Sequence, residues 1–431
     1  MTIYKKERSK MKKIFVTVAI LLWSANVLLS QAWQVTPHKM PYPVSGGQVV
    51  YDLAAQGNKI YILGGYSDSL QQTVDWIQEY NAELDSWKMV GQMLQPRKQF
   101  VADIWKGNSV YFGGAHDTSL TKTALEAWNF NSAVTPSVLD ANADFGRSFS
   151  TGHIINDVLY LIGGSPYAGG KISYISSYNL VSKQVSMKYD FASDDKPREP
   201  MTFIVGESIY IFGGAFNGVI DKIQKFNIAL QKIENLPDKL IEKRAGGSSI
   251  YFPQIRKGFL IGGYNETYPA MQTVEIVSVN SDGTLKISNT ASLNYARYNP
   301  MAVNYKGTIA VFGGKDTKGK VVPYVEFLVV SYPNDVKNDG LPTEFKLDQN
   351  FPNPFNPSTT IKYQMPKAGY VSLKVYDILG REVATLVDEY KQAGIYNSKF
   401  SLNDSHASSG LYLAQFRAGN TIQTIKMMLL K

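Results

Sequence analysis

The chain contains no cysteine. That excludes disulfides, zinc–thiolate centres and thiol nucleophiles. Histidine is nearly as scarce, with His38, His116, His153 and His406 the only four in 431 residues. They fall in separate segments without ligand spacing, so neither a metal site nor a cofactor is expected. Phosphate-loop, dinucleotide, serine-hydrolase and zinc-protease motifs are all missing. No long segment of 3.6-residue period occurs beyond the first thirty residues, which argues against a helical fold. Long apolar runs are missing too, apart from Ile14–Leu29. That run follows Lys12-Lys13 and leads into Ser30-Gln31-Ala32, the pattern of a signal peptide cut after Ser30 or Ala32. Residues 1–32 are therefore read as an export signal, with no transmembrane segment in the mature chain.

Charge is not concentrated either. The formal net charge is +8. Residues 1–32 hold six Lys or Arg against one Glu, and residues 343–431 hold ten basic against seven acidic side chains. The stretch between them carries 28 of each sign and is formally neutral. A nucleic-acid partner, which wants a basic face, is not expected.

What the chain has is glycine in pairs. Gly64-Gly65, Gly113-Gly114, Gly163-Gly164, Gly213-Gly214, Gly262-Gly263 and Gly313-Gly314 each close a short apolar run, as in Tyr61-Ile62-Leu63 or Tyr210-Ile211-Phe212. Successive pairs lie 49 to 51 residues apart. A period near fifty with strand-ending Gly-Gly is the signature of a propeller blade. An arginine precedes five of the pairs by 15 to 18 residues: Arg97, Arg147, Arg198, Arg244 and Arg297. The first repeat has Val44 or Ser45 there. Downstream of each pair comes a run centred on Tyr80, Trp128, Tyr178, Phe226, Val277 or Phe327.

Period, glycine pair, arginine and downstream aromatic together resemble the kelch repeat, over about residues 33–330. The resemblance implies an all-β, six-bladed propeller. Galactose oxidase-like kelch enzymes need a Tyr-Cys cross-link for copper, which this chain cannot form. The sixth repeat stops near Val330 without a Trp-bearing outer strand like Ser86-Trp87-Lys88-Met89. A matching segment, Trp33-Gln34-Val35 followed by Met40-Pro41, stands at the front. The N-terminal segment is therefore expected to supply the last blade's outer strand and remove an open edge.

Residues 331–342 are rich in Pro, Asn, Asp and Gly and read as a linker. Beyond it, residues 343–431 alternate as short strands at Thr359–Gln364, Tyr370–Tyr376, Glu382–Leu386, Ile395–Ser401, Leu411–Arg417 and Thr421–Leu430. These predict a small immunoglobulin-like β-sandwich. The Asn-Phe-Pro-Asn-Pro-Phe-Asn-Pro run at 350–357, Val375–Val383, Ser409-Gly410-Leu411-Tyr412 and the Lys426–Lys431 end resemble the C-terminal sorting domain of type IX secretion substrates. The resemblance implies the type IX machinery as a partner and a secreted or cell-surface destination.

In ligand-binding kelch domains, arginines at this repeat position often line the mouth of the central pocket. The resemblance thus implies a ligand site at Arg97, Arg147, Arg198, Arg244 and Arg297. The loops after each Gly-Gly add a rim of Tyr66, His116, Tyr167, Phe216 and Tyr264, with Lys315 at the sixth. A guanidinium suits carboxylates, carbonyls or hydroxyls, but could equally brace neighbouring blades. No catalytic residue is assignable. The favoured reading is a binding module for an extracellular glycan, peptide or protein. The alternatives are an enzyme resembling the kelch sialic-acid mutarotases and a structural surface-layer protein.

Overall fold

In the computed structural model, the described residues are 32–51, 59–115, 124–129, 136–140, 146–166, 174–189, 197–280, 282–330, 344–366, 369–391, 394–402, 409–419 and 421–430. Residues 1–31 of the expected signal peptide lie outside them.

Six four-stranded antiparallel sheets fill residues 34–329. Blade one runs outward through Gln48–Val50, Lys59–Leu63, Trp76–Asn81 and Ser86–Gln92. Blades two to five repeat the order from Val101–Trp105, Arg147–Ile155, Met201–Val205 and Ser248–Phe252. Blade six begins with Met301–Tyr305, Thr308–Phe312 and Tyr324–Val329, and its fourth strand is Gln34–Lys39. Gln34 pairs with Phe327 and Val35 with Glu326, so the two chain segments that begin and end the ring are joined in one sheet. Trp33 anchors this strand. Its indole Nε1 donates to Ala291 O at 2.9 Å, and the ring packs with Ile250, Phe259 and Leu328.

The third strands place one large apolar residue opposite the second-strand position that lies four residues before the first glycine of each pair. Tyr80 opposes Ile60, Trp128 opposes Ser109, and Tyr178 opposes Leu159. In blade six that register belongs to Leu328, opposite Ile309, and not to Phe327 as the sequence suggested. The run there is one residue longer than the aromatic spacing implied.

The glycines allow blades to touch. Gly313 has φ 53°, and a Cβ there would overlap the Val44 carbonyl oxygen of the next blade. A left-handed residue in so close a contact admits no side chain.

The residues at the axial start of the six innermost strands, five just before the strand and Phe149 at its third position, share another feature. Gly46, Gln99, Phe149, Glu199, Gly246 and Asn299 all have φ between 50° and 63°. Their main chains form a closed circle of hydrogen bonds. Gly46 N donates to Asn299 O at 3.1 Å, Asn299 N to Gly246 O at 2.7 Å, and Gly246 N to Glu199 O at 3.1 Å. Glu199 N donates to Phe149 O at 2.7 Å, Phe149 N to Gln99 O at 3.1 Å, and Gln99 N to Gly46 O at 2.6 Å. The left-handed turn swings each amide toward its neighbour's carbonyl and satisfies groups that no sheet could pair.

Residues 344–430 fold around a separate core. One sheet joins Lys346–Leu347, Ser358–Met365 and Gly394–Ser401; the other joins Glu382–Lys391, Gly369–Tyr376, Gly410–Ala418 and Thr421–Leu429. Ile361, Tyr363 and Phe400 of the first pack with Leu373, Val375, Phe416 and Met427 of the second. This is a two-sheet sandwich, and the six strands read from alternation are all present.

Candidate functional site at the axial mouth

In an antiparallel blade the start of the first strand and the end of the second lie at the same end. The ring residues and the loops after Gly-Gly therefore share one face. Main-chain bridges join them: Ser45 to Tyr66, Lys98 to Ala115, Arg198 to Ala215, Ala245 to Tyr264 and Tyr298 to Lys315.

Four of the five expected ligand-binding arginines do not reach this face. Arg97, Arg147, Arg244 and Arg297 are each 0% exposed. Their Nη1 groups donate to Gly113 O at 2.9 Å, Gly163 O at 3.0 Å, Gly262 O at 3.0 Å and Gly313 O at 2.7 Å. Their own carbonyls accept from the second glycine of the preceding blade, as in Gly65 N to Arg97 O at 2.7 Å and Gly263 N to Arg297 O at 2.8 Å. Each arginine thus ties two blades together. The second fork arm meets an acid on the third strand: Arg97 meets Glu126, Arg244 meets Glu275 at 2.7 Å, and Arg297 meets Glu326 at 2.8 Å. In blade three Arg147 donates instead to Ser176 Oγ at 2.6 Å. A buried guanidinium with its donors on blade carbonyls is a brace, and the pocket assignment of these four residues is corrected accordingly.

Arg198 is different. The bracing position of blade four is Pro197, one residue earlier, and Arg198 is exposed. Its spacing of 15 residues, against 16 in most repeats, records that offset. The acid is also absent there: Gln224 stands at its register, opposite Ile211. Blade one has Val44 in place of arginine and Gln78 in place of the acid, opposite Ile62.

Arg198 stands among partly exposed groups, of which Asp68, Lys98, Gln99, Glu199 and Tyr298 were not read from the sequence. Glu199 Oε2 accepts from Tyr264 Oη at 2.7 Å, and its Oε1 accepts from Gln99 Nε2 at 3.3 Å. Burial raises the Glu199 carboxyl above the usual range, against the lowering effect of the Tyr264 bond. The Tyr264 ring stands edge-on to Tyr298 at 6.2 Å. Tyr66 has Lys98 Nζ 4.9 Å and Lys315 Nζ 4.4 Å from its ring centre. Lys315 also pairs with Asp68 at 3.4 Å. Tyr66, Tyr264 and Arg198 lie on the face that carries the loops after Gly-Gly. Phe216 is half-buried in a turn where its N–H meets Gly218 O at 2.8 Å. His116 and Tyr167 lie outside the described residues. The only forewarning of Gln99, Glu199 and Asn299 was their fixed place two residues after the bracing position.

Along the axis a cavity of about 260 Å³ is lined by the ring residues and the innermost strands. Its wall is polar. His153 Nε2 meets Thr202 Oγ1 at 2.8 Å, and Thr202 Oγ1 meets Thr151 Oγ1 at 2.8 Å. Asp103 accepts from Ile104 N and Ile154 N, both at 2.7 Å. Burial pushes Asp103 up to about 6 and His153 down to about 4. Among the described residues no cluster could hold a metal ion.

The comparisons with known proteins agree with this architecture. Residues 349–431 match the family described as the secretion system C-terminal sorting domain, and residues 52–94 match the kelch motif. Kelch-like protein 23 of Homo sapiens is 28% identical over 167 residues, covering 38% of this chain and 29% of the relative. Alpha-scruin of Limulus polyphemus is 23% identical over 254 residues, covering 55% of this chain and 27% of the relative. The chain thus spans under a third of the length of these curated relatives. The solved structure of YjhT superposes with a TM-score of 0.54 at 15% identity, covering 68% of this chain and 97% of that one, a likeness of fold alone. The sorting domain marks the protein for secretion or the cell surface. The chain is a kelch-repeat β-propeller that carries a C-terminal sorting domain of type IX secretion.

Proposed function

We propose that the propeller is the binding module of this exported protein and takes an extracellular glycan, peptide or protein at its axial mouth. The observation behind this reading is the clustering of Tyr66, Lys98, Arg198, Glu199, Tyr264, Tyr298 and Lys315 on one face. Aromatic walls with a few convergent polar groups are what a ligand pocket uses to fix and orient its ligand. The arginine braces leave that face free for loop residues to specialise. Glycan and peptide arrays probed with the exported protein test the reading. Retention on one array, lost when Arg198 and Tyr264 are both replaced by Ala while the melting temperature holds, is the expected result. Retention by neither array would reject it. A mutarotation assay on free sugars separates the enzymatic alternative.

A further inference from the structure

The axial ring is made entirely by main-chain groups. Its hydrogen bonds need no particular side chain. Gly46 and Gly246 adopt the left-handed backbone freely, whereas Gln99, Phe149, Glu199 and Asn299 adopt it against steric resistance. Side chains kept at such positions point to a role for the side chains themselves.

Three of the four are planar polar groups, and all three line the axial cavity. Gln99 and Glu199 stand two blades apart, yet their side chains join at 3.3 Å. Asn299 lies beside the Tyr264 ring: a Cβ on Gly246 would stand 2.8 Å from Asn299 Oδ1 and 3.0 Å from Tyr264 Cε1. The Glu199 bond to Tyr264 Oη puts this polar floor on the loop side of the ring, facing outward. Tyr264, Tyr298 and Phe149 border it with aromatic rings.

The chemistry of that floor selects a ligand class. A carboxylate accepts only, and two amides both donate and accept. Such a set matches adjacent hydroxyls, each of which donates once and accepts elsewhere. A carboxylate at the centre repels an anion, and the surrounding charges are of both signs: Arg198, Lys98 and Lys315 against Asp68, Asp316 and Glu199. Aromatic faces beside hydroxyl-matching groups suit a sugar ring, whose C–H face is apolar.

Building on the binding-module reading, we propose that Gln99, Glu199 and Asn299 form a subsite for a neutral saccharide. Two neighbouring hydroxyls donate to Glu199, the amides of Gln99 and Asn299 complete the pairing, and the sugar's apolar face rests on Tyr264 or Tyr298. Glu199 sets specificity.

The test uses the exported protein purified from its host on one array of neutral glycans, uronic- and sialic-acid glycans, and peptides. Retention on neutral glycans is expected. The best neutral oligosaccharide is then titrated calorimetrically against wild type, Glu199→Gln, Gln99→Ala and Lys243→Ala, each checked by thermal melting. Loss of a charge-assisted bond should weaken Glu199→Gln about tenfold or more. Gln99→Ala should weaken binding by less, and Lys243→Ala, which removes an exposed side chain that does not line the axial cavity, should leave it unchanged. Should Glu199→Gln fail to fold, Gln99→Ala alone decides. Preference for acidic glycans or peptides, or a neutral glycan bound equally by folded Glu199→Gln and Gln99→Ala, overturns the saccharide subsite but leaves the binding module standing. Retention on no arm overturns both.

Discussion

The amide of Gly46 donates to the carbonyl of Asn299 at 3.1 Å. It joins the first blade to the sixth at the axis, just as Gln34–Lys39 joins them at the rim. The ring is therefore closed twice by one N-terminal segment, and closure begins at Trp33. Removing the indole deletes its bond to Ala291 O and leaves a hole between blades five and six. We predict that Trp33→Ala loses roughly 3–5 kcal/mol of stability. Deleting residues 33–40 should go further and expose the Tyr324–Val329 edge to association. Urea unfolding and light scattering check both, and an unchanged midpoint would contradict the closure.

The braces make a second prediction. Arg297 and Glu326 are both 0% exposed and meet at 2.8 Å. Glu326 also accepts from Asn294 N at 2.6 Å. Taking away one partner strands a buried charge, so Arg297→Val should lose about 3–5 kcal/mol. Blades one and four manage with Val44 and Gln78, or Pro197 and Gln224. Copying blade one in blade six, as Arg297→Val with Glu326→Gln, should recover part of that loss. A double-mutant cycle from urea melts measures the coupling. Simple additivity would mean the two are independent.

These pairs mark the limit of what the sequence could tell. Constant spacing correctly put an arginine at one place in four of the six repeats. It could not tell a side chain turned into the blade from one turned to the mouth, because the partner acid stands about 30 residues further on, across two strands. The pairing is visible afterwards: acid with arginine in blades two, five and six, glutamine where arginine is missing. Arg198 was assigned one register off for want of that check. The axial ring was harder to see. Gly, Gln, Phe, Glu, Gly and Asn share no side-chain chemistry, only a left-handed backbone. The sandwich strands were legible because alternation over eight or nine residues is a strong signal, whereas the two-residue strand Lys346–Leu347 has no period to read.

The channel predicts opposed pH effects. Burial lowers His153 from 6.5 to about 4, so its contribution is present above pH 6.5 and is lost as pH falls toward 4. Burial raises Asp103 from 3.8 to about 6, so its contribution is present below pH 3.8 and is lost as pH rises through 6. Between pH 4 and 6 the two offset. His153→Gln should therefore lose less stability than wild type between pH 6.5 and 4. Asp103→Asn should lose more, because the gain from protonating the acid is gone. Urea midpoints at pH 7 and 4.5 test this, and parallel shifts in all three proteins would refute it.

The last prediction concerns the tail. The propeller's closure, braces and axial ring use residues 33–330 only. The sandwich core uses residues 345–429 only. Each has its own buried apolar set, so removing one leaves the other's internal contacts in place. The sorting-domain match covers 349–431, almost the whole of the second core. We therefore predict that stopping the chain at residue 342 leaves a folded propeller that crosses the inner membrane and stays in the periplasm. Its unfolding midpoint should match that of the propeller transition in the full chain, and its array binding should be unchanged. Fractionation of the native host with an antibody to the propeller reads its location. Conversely, residues 343–431 fused behind an exported reporter should carry it to the surface or the medium. Truncated propeller reaching the surface as efficiently as the full chain would remove export from the tail's role. Loss of folding on truncation would show instead that the sandwich supports the ring.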